Sequence, residues 1–195
     1  MKISGKFILR VAGTLTAICL VVSALLGGVN AVTADRIAAI KEKNTRDSLS
    51  SVLPNCDYDP LELSDTLTAA VTGQGAKLKA AYKAAAAGEL VGYAFQIVSS
   101  GSQGDIDMIV GVDTDGKVTG VSIVDNKETS GIGSKVMGNE PLPGGTGVLD
   151  QFVGKSGAGS LVVKKNVDAI SGATVSSKGV TRGVNAALAA AEALA

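Results

Sequence analysis

The sequence predicts an α+β protein: an N-terminal transmembrane helix and a stalk helix, followed by a mainly antiparallel-sheet domain closed by a C-terminal helix. Three observations predict it. Val11 to Ala34 is an uninterrupted run of 24 residues without a charged side chain. Two runs of strand-like alternation flank Asp113-Thr114-Asp115-Gly116, an Asp-Gly hairpin signal. Near the end of the chain, Val180, Val184, Ala187, Leu188, Ala191 and Leu194 fall on one helical face. These divide the chain into 1–34 (cytoplasmic N-terminus and transmembrane helix), 35–76 (stalk and connecting segment) and 77–195 (the folded body).

Each element has its own reason. At ~1.5 Å per residue the Val11–Ala34 run spans roughly 36 Å as a helix, enough for a bilayer with tilt. It exceeds the ~7–15-residue apolar core of a signal peptide, which makes it a retained anchor. Lys2, Lys6 and Arg10 precede it without an acid among them, which favours a cytoplasmic N-terminus and an extracytoplasmic body. Ala34 to Ser50 continues as a stalk helix with a thin apolar stripe of Ile37, Ile40 and Leu49, ending between Ser50 and Pro54. Residues 54–75, with Pro54, Pro60, Gly73 and Gly75, read as an irregular connection. Strands are expected at Leu90–Val98, across Ile106, Met108, Val110 and Val112, at Val118–Val124, and briefly at Leu161–Val163. Glu128–Pro143 reads as Gly-rich and irregular. Ser176 or Ser177 is placed to cap the first turn of the final helix.

Composition excludes several functions. The chain has 18 basic and 18 acidic side chains, and beyond the first ten residues acids exceed bases by three. A mildly acidic body lacks the basic face that nucleic-acid binding needs. With no His in the chain, there is no Ser-His-Asp or Cys-His pair and no imidazole metal site. Cys19 lies in the apolar run and Cys56 beyond it, so the two are not expected to form an intrachain disulfide, and two thiols do not hold a cluster. Asp113 and Asp115 lack the acidic ladder of a calcium loop and read as a turn.

The segment carrying chemistry is Asp168-Ala169-Ile170-Ser171-Gly172-Ala173-Thr174-Val175-Ser176-Ser177, directly before the final helix. Small residues allow close backbone approach, and a helix start offers unpaired N–H groups and the positive end of a dipole, the place where a phosphate is held. Ser171, Thr174, Ser176 and Ser177 add hydroxyls. A plain helix start with a tight turn is the competing reading.

Asp168-x-x-Ser171-Gly172-Ala173-Thr174 resembles the flavinylation motif of FMN-binding domains. These occur in the G subunit of Rnf-type electron transport complexes and the C subunit of sodium-translocating NADH:quinone reductases. A second string, Glu128-Thr129-Ser130-Gly131-Ile132-Gly133, is similar to the family's Glu-Thr-Pro-Gly-Leu-Gly loop near the flavin. Ser130 and Ile132 depart from it, and Asn126 stands near the place of an upstream His. Gly92-Tyr93-Ala94-Phe95, the hairpin, this loop, Ser-Gly-Ala-Thr and a final helix follow the family order over residues 77–195.

The resemblance implies an FMN cofactor esterified through its phosphate to the Thr174 hydroxyl. It implies a flavin transferase that uses FAD and reads Asp168 as part of its target. Ser171, Gly172, Ala173, Ser176, Glu128, Thr129, Gly131 and Gly133 are then the residues around the flavin, with Glu128 or Lys135 adjusting its electrostatics. It also implies a membrane-bound relay protein, working with the other membrane components of a ferredoxin:NAD+ oxidoreductase coupled to sodium or proton transport. Three other readings stay open: the C subunit of the quinone reductase, a free-standing extracytoplasmic flavoprotein, and a tethered structural module without flavin.

Overall fold

The computed structural model describes residues 5–194; Lys2, part of the basic flank, lies outside them. The elements are helix α1 (Gly5–Val52), strand β1 (Asp57–Leu61), helix α2 (Asp65–Gly73), strands β2 (Ala76–Ala86), β3 (Glu89–Ser100), β4 (Asp105–Asp113) and β5 (Val118–Asn126), the short helix α3 (Gly133–Met137), and helix α4 (Thr174–Glu192). Anchor and stalk are one continuous helix, because no Pro or capping signal separates them before Val52. The chain forms two compact units, Met1–Lys43 and Asn44–Ala195.

In the first unit, the apolar side chains of α1 from Ile8 to Ile40 are exposed. The helix is long and apolar enough to cross a membrane, and none of its most apolar stretch is buried. Cys19 lies exposed on it, and both cysteines are free.

In the second unit, five antiparallel strands pair in chain order, β1-β2-β3-β4-β5. The alternation read from β4 is real: Ile106, Met108, Val110 and Val112 face the principal core, while Ile109 faces a second cluster. The turn after β4 is a local Asp device, in which Asp113 Oδ1 accepts from the N–H groups of Asp115 (3.0 Å) and Lys117 (2.8 Å). Gly116 supplies the left-handed φ of +75° that this turn requires.

Helix α4 lies over β3 and β4 and is buried on almost every side, with Val180, Val184, Ala187 and Leu188 each at most 1 % exposed. Leu194, read as part of the same face, lies past the end of the helix and is exposed. The opposite face of the sheet receives the end of α1. Leu49, Val52 and Leu53 pack there with Ala84, Ala94, Ile109 and Val124. Gly111 and Gly120 are register partners; a Cβ on Gly111 would collide with Thr119 Oγ1, and a Cβ on either would stand 3.1 Å from Val52. Asn44 Nδ2 donates to the Val124 carbonyl at 3.3 Å, and Ser122 Oγ donates to Ser48 Oγ at 3.0 Å. The Tyr58 hydroxyl donates to the carbonyls of Leu49 (2.7 Å) and Leu53, closing the end of the helix. Burial pushes the Tyr58 phenol above its ordinary pKa and the neighbouring Cys56 adds to the shift, so this donor keeps its proton at neutral pH.

Several expectations are corrected. Residues 54–75 are not irregular but contain β1 and α2. Pro60 is tolerated because β1 is an edge strand. Ser64 caps α2 by accepting from Leu67 N at 3.3 Å. Leu161–Val163 is not a strand; Val163 makes only an isolated bridge to Val167. The irregular Glu128–Pro143 stretch holds the short helix α3.

The second cluster makes a direct prediction. A chain starting at Asn44 is expected to fold, whereas one starting at Pro54 lacks Leu49, Val52 and Leu53. At about 1.5–3 kcal/mol per buried aliphatic side chain, that loss rivals the stability of a whole domain. Circular dichroism melts are expected to show a cooperative transition for the first and none for the second. Equal melting of the two would mean that the end of α1 contributes nothing to the fold.

Candidate functional site

The segment entering α4 turns sharply. Ala173 N donates to the Ile170 carbonyl at 3.0 Å, and Gly172 at the third position has φ +82°, a turn that demands a residue without a Cβ penalty. Ala173 is the N-cap, and among the described residues no side chain caps the helix. The expectation that Ser176 or Ser177 caps it is therefore corrected. Ser177 Oγ donates back to the Ala173 carbonyl at 3.0 Å, and Ser176 Oγ donates to Glu128 Oε2 at 2.5 Å. Ser176 is the third residue of the helix, and its hydroxyl proton goes to the Glu128 carboxylate in a charge-assisted hydrogen bond. The first-turn N–H groups of α4 keep no partner within the helix.

Thr174 is the first residue of α4 and is half-buried. Among the described residues no hydrogen bond engages its hydroxyl, in contrast to those of Ser176 and Ser177. It lines a cavity of about 230 Å³ with Ser102, Gln103, Glu128, Thr129, Ile132, Gly133, Gly172, Ala173, Val175 and Ser176. The two motifs, whose first residues Glu128 and Asp168 lie 40 positions apart, thus meet at one opening. Ile132 and Val175, 51 % and 55 % exposed, put apolar surface on this cavity.

The sequence-predicted residues separate into two groups. Thr174, Gly172, Ala173, Ser176, Glu128, Thr129 and Gly133 line the cavity; Asp168, Ser171 and Gly131 do not. The Asp168 side chain is exposed, and its backbone is held by Gln151, whose Oε1 accepts from Asp168 N (2.8 Å) and whose Nε2 donates to Asp168 O (3.1 Å). Gly131 has φ +83°, and its N–H donates to Ser134 Oγ at 2.8 Å, so it shapes the loop from outside. Lys135 faces Glu140 at 3.9 Å rather than the cavity. The sequence reading missed Ser102 and Gln103. They occupy the β3–β4 turn, whose only sequence mark is a Gly at each end, Gly101 and Gly104.

An uncapped helix start, a positive-φ glycine before it and a residue whose hydroxyl makes no hydrogen bond among the described residues meet at this cavity. Residues 101–189 match the family described as FMN-binding domain, and residues 1–52 match the RnfG N-terminal region. Over 95 % of the chain and 92 % of the relative, the sequence is 31 % identical to the G subunit of the Na(+)-translocating ferredoxin:NAD(+) oxidoreductase complex of Acetobacterium woodii. It is also 31 % identical, over 93 % of the chain and 90 % of the relative, to the G subunit of the proton-translocating ferredoxin:NAD(+) oxidoreductase complex of Clostridium ljungdahlii. The G subunit of the ion-translocating oxidoreductase complex of Methanosarcina acetivorans is 28 % identical, with 94 % of each chain covered. Among solved structures, the C subunit of the Na(+)-translocating NADH-quinone reductase from Parabacteroides distasonis shares the fold with a TM-score of 0.50 at 20 % identity, covering 79 % of this chain and 92 % of that one. The chain belongs to the family of G subunits of Rnf-type ion-translocating oxidoreductase complexes.

The site fits the phosphate end of FMN. The uncapped first turn of α4 offers N–H donors and a positive dipole end, and the exposed Ile132 and Val175 offer surface to a flat ring.

Proposed function

We propose that this chain is the electron-relaying flavoprotein of a membrane-bound ferredoxin:NAD+ oxidoreductase complex that moves Na+ or H+. In this reading its FMN is joined through phosphate to Thr174. The observation that carries the attachment point is the unengaged Thr174 hydroxyl at an uncapped helix start, with its neighbours Ser176 and Ser177 both committed elsewhere. A flavin transferase installs the group: the hydroxyl loses its proton and takes the FMN phosphoryl from FAD, with AMP leaving. The exposed Asp168 carboxylate is then part of the surface the transferase reads, and Gln151 fixes the backbone that presents it.

Bound FMN supplies one- and two-electron transfer. The chain does the rest: it anchors the phosphate, keeps the ring at the surface within reach of partner proteins, and holds itself in the membrane through α1. Lys6 and Arg10 before the apolar span favour an N-terminus in the cytoplasm and a domain on the outer side of the inner membrane. An ester leaves no dissociation equilibrium, which suits a carrier facing a dilute compartment. Among the relatives at 31 % identity, that of Acetobacterium woodii is named for sodium and that of Clostridium ljungdahlii for protons.

The test is co-production of the full chain with an active flavin transferase, followed by intact-mass measurement and peptide mapping. An added FMN phosphoryl mass on the peptide containing Thr174 is the expected result. Bare polypeptide, with the transferase shown to modify a known substrate, would sink the attachment and favour a structural module.

A further inference from the structure

Glu128 is half-buried, and both of its carboxylate oxygens are bonded to protein groups. Its Oε1 accepts from the backbone N–H groups of Ser102 (2.7 Å) and Gln103 (3.2 Å), and its Oε2 accepts from Ser176 Oγ (2.5 Å). Its own N–H donates to Asn126 Oδ1 at 3.1 Å, which fixes the base of the side chain. Two glycines make room for it: a Cβ on Gly101 would overlap Oε1, and a Cβ on Gly133 would overlap Oε2 and the Glu128 Cβ. Gly133 has no positive φ, so this close approach is what requires glycine there. One carboxylate thus ties together the β3–β4 turn, the 128–133 loop and the first turn of α4. Those three segments supply the walls of the Thr174 cavity.

We infer that Glu128 is a positioning residue. It acts by holding the three walls together so that the Thr174 hydroxyl is presented in one geometry, not by placing a charge beside the cofactor. This rests on the reading of Thr174 as the attachment point. It departs from the electrostatic role expected of Glu128 from sequence, because both carboxylate oxygens are already engaged by the protein.

Reach and charge can be separated by substitution. Gln keeps the length of the side chain: its carbonyl accepts from Ser102 and Gln103, and its amide donates to the Ser176 oxygen. Asp keeps the charge but is one methylene short. In full chain purified in detergent, initial flavinylation by the transferase is expected to stay within about threefold of wild type for Glu128→Gln. For Glu128→Asp it is expected to fall about tenfold or more, as loss of a positioned hydrogen-bond set predicts. A second readout needs no flavin: hydrogen exchange of the 101–104 turn and of the start of α4 is expected to quicken in Glu128→Asp and not in Glu128→Gln. Leu49→Ala, in the cluster on the other face of the sheet, controls for general loss of stability and is expected to leave both readouts near wild type. The reverse order, with Asp retaining function and Gln losing it, would overturn the inference in favour of charge. So would unchanged exchange at both segments in Glu128→Asp. If wild type takes no flavin, the attachment reading fails, while the exchange measurement still decides whether Glu128 is the clamp.

Discussion

Thr174→Ala is expected to leave a folded protein with no covalent flavin. The hydroxyl makes no hydrogen bond within the described protein, so its loss removes no internal interaction, and stability is expected to stay within about 0.5 kcal/mol of wild type. The chemistry has no substitute. Ser176 Oγ is held by Glu128, Ser177 Oγ by the Ala173 carbonyl, and Ser171 lies outside the cavity. Thr174→Ser keeps the nucleophile but adds rotamer freedom, because the branching methyl that stiffens χ1 is gone. It is expected to accept flavin more slowly. Ser171→Ala and Ser176→Ala are expected to remain modified at Thr174. In-gel fluorescence after denaturation and peptide mapping read all four variants. A fluorescent band in Thr174→Ala would mean that the attachment point is elsewhere.

The largest stability effect of a single substitution is expected at Gly179. Substitution of Gly by Ala inside a helix ordinarily gains about 1 kcal/mol. Here a Cβ would stand 2.7 Å from the Ser100 carbonyl oxygen and 3.0 Å from Ile106 Cδ1. The helix is also pinned at this residue, where Ser99 Oγ donates to the Gly179 carbonyl at 2.9 Å. One turn further, a Cβ on Gly183 would collide with Met108 Sδ. The two glycines are what let α4 settle onto β3 and β4. Gly179→Ala is therefore expected to destabilise, by about 1–3 kcal/mol, despite its better helix propensity. Gly179→Leu has no room without lifting the helix off the sheet, and it is expected to cost about 4 kcal/mol or more and to distort the Thr174 site at the helix start. Denaturant titration measures both, with exposed Lys178→Ala on the same helix as the near-neutral control. A stabilised Gly179→Ala would show that the helix does not need to lie this close.

Much of the fold was legible because the signals are local. The alternation of β4, the Asp113–Gly116 turn and the apolar face of α4 each follow from a few adjacent residues and appear where expected. The site was legible in part for the same reason: Gly172, Thr174 and Glu128 sit in short strings whose residue types limit what the backbone can do. The hidden parts were those that another segment completes. Ser102 and Gln103 reach the site through bonds to Glu128 across 26 and 25 positions, and nothing in their own neighbourhood points there. Ser176 looked like a cap and became a donor to a carboxylate 48 positions away.

Ala76–Ala86 marks the boundary most clearly. Its alanines and lysines are strong helix formers, yet it forms β2, hydrogen-bonded on both sides by β1 and β3. Pairing on two edges outweighs the modest per-residue preference for helix, and small side chains such as Ala84 leave room for the end of α1 on the outer face. By itself, then, the sequence determined what is set within one turn or one strand: the apolar span, the hairpin, the last helix and the hydroxyl at its start. Only the tertiary structure decided which strands lie side by side, what covers each face of the sheet, and which distant groups hold Glu128, because those outcomes depend on interactions between segments that no local window contains.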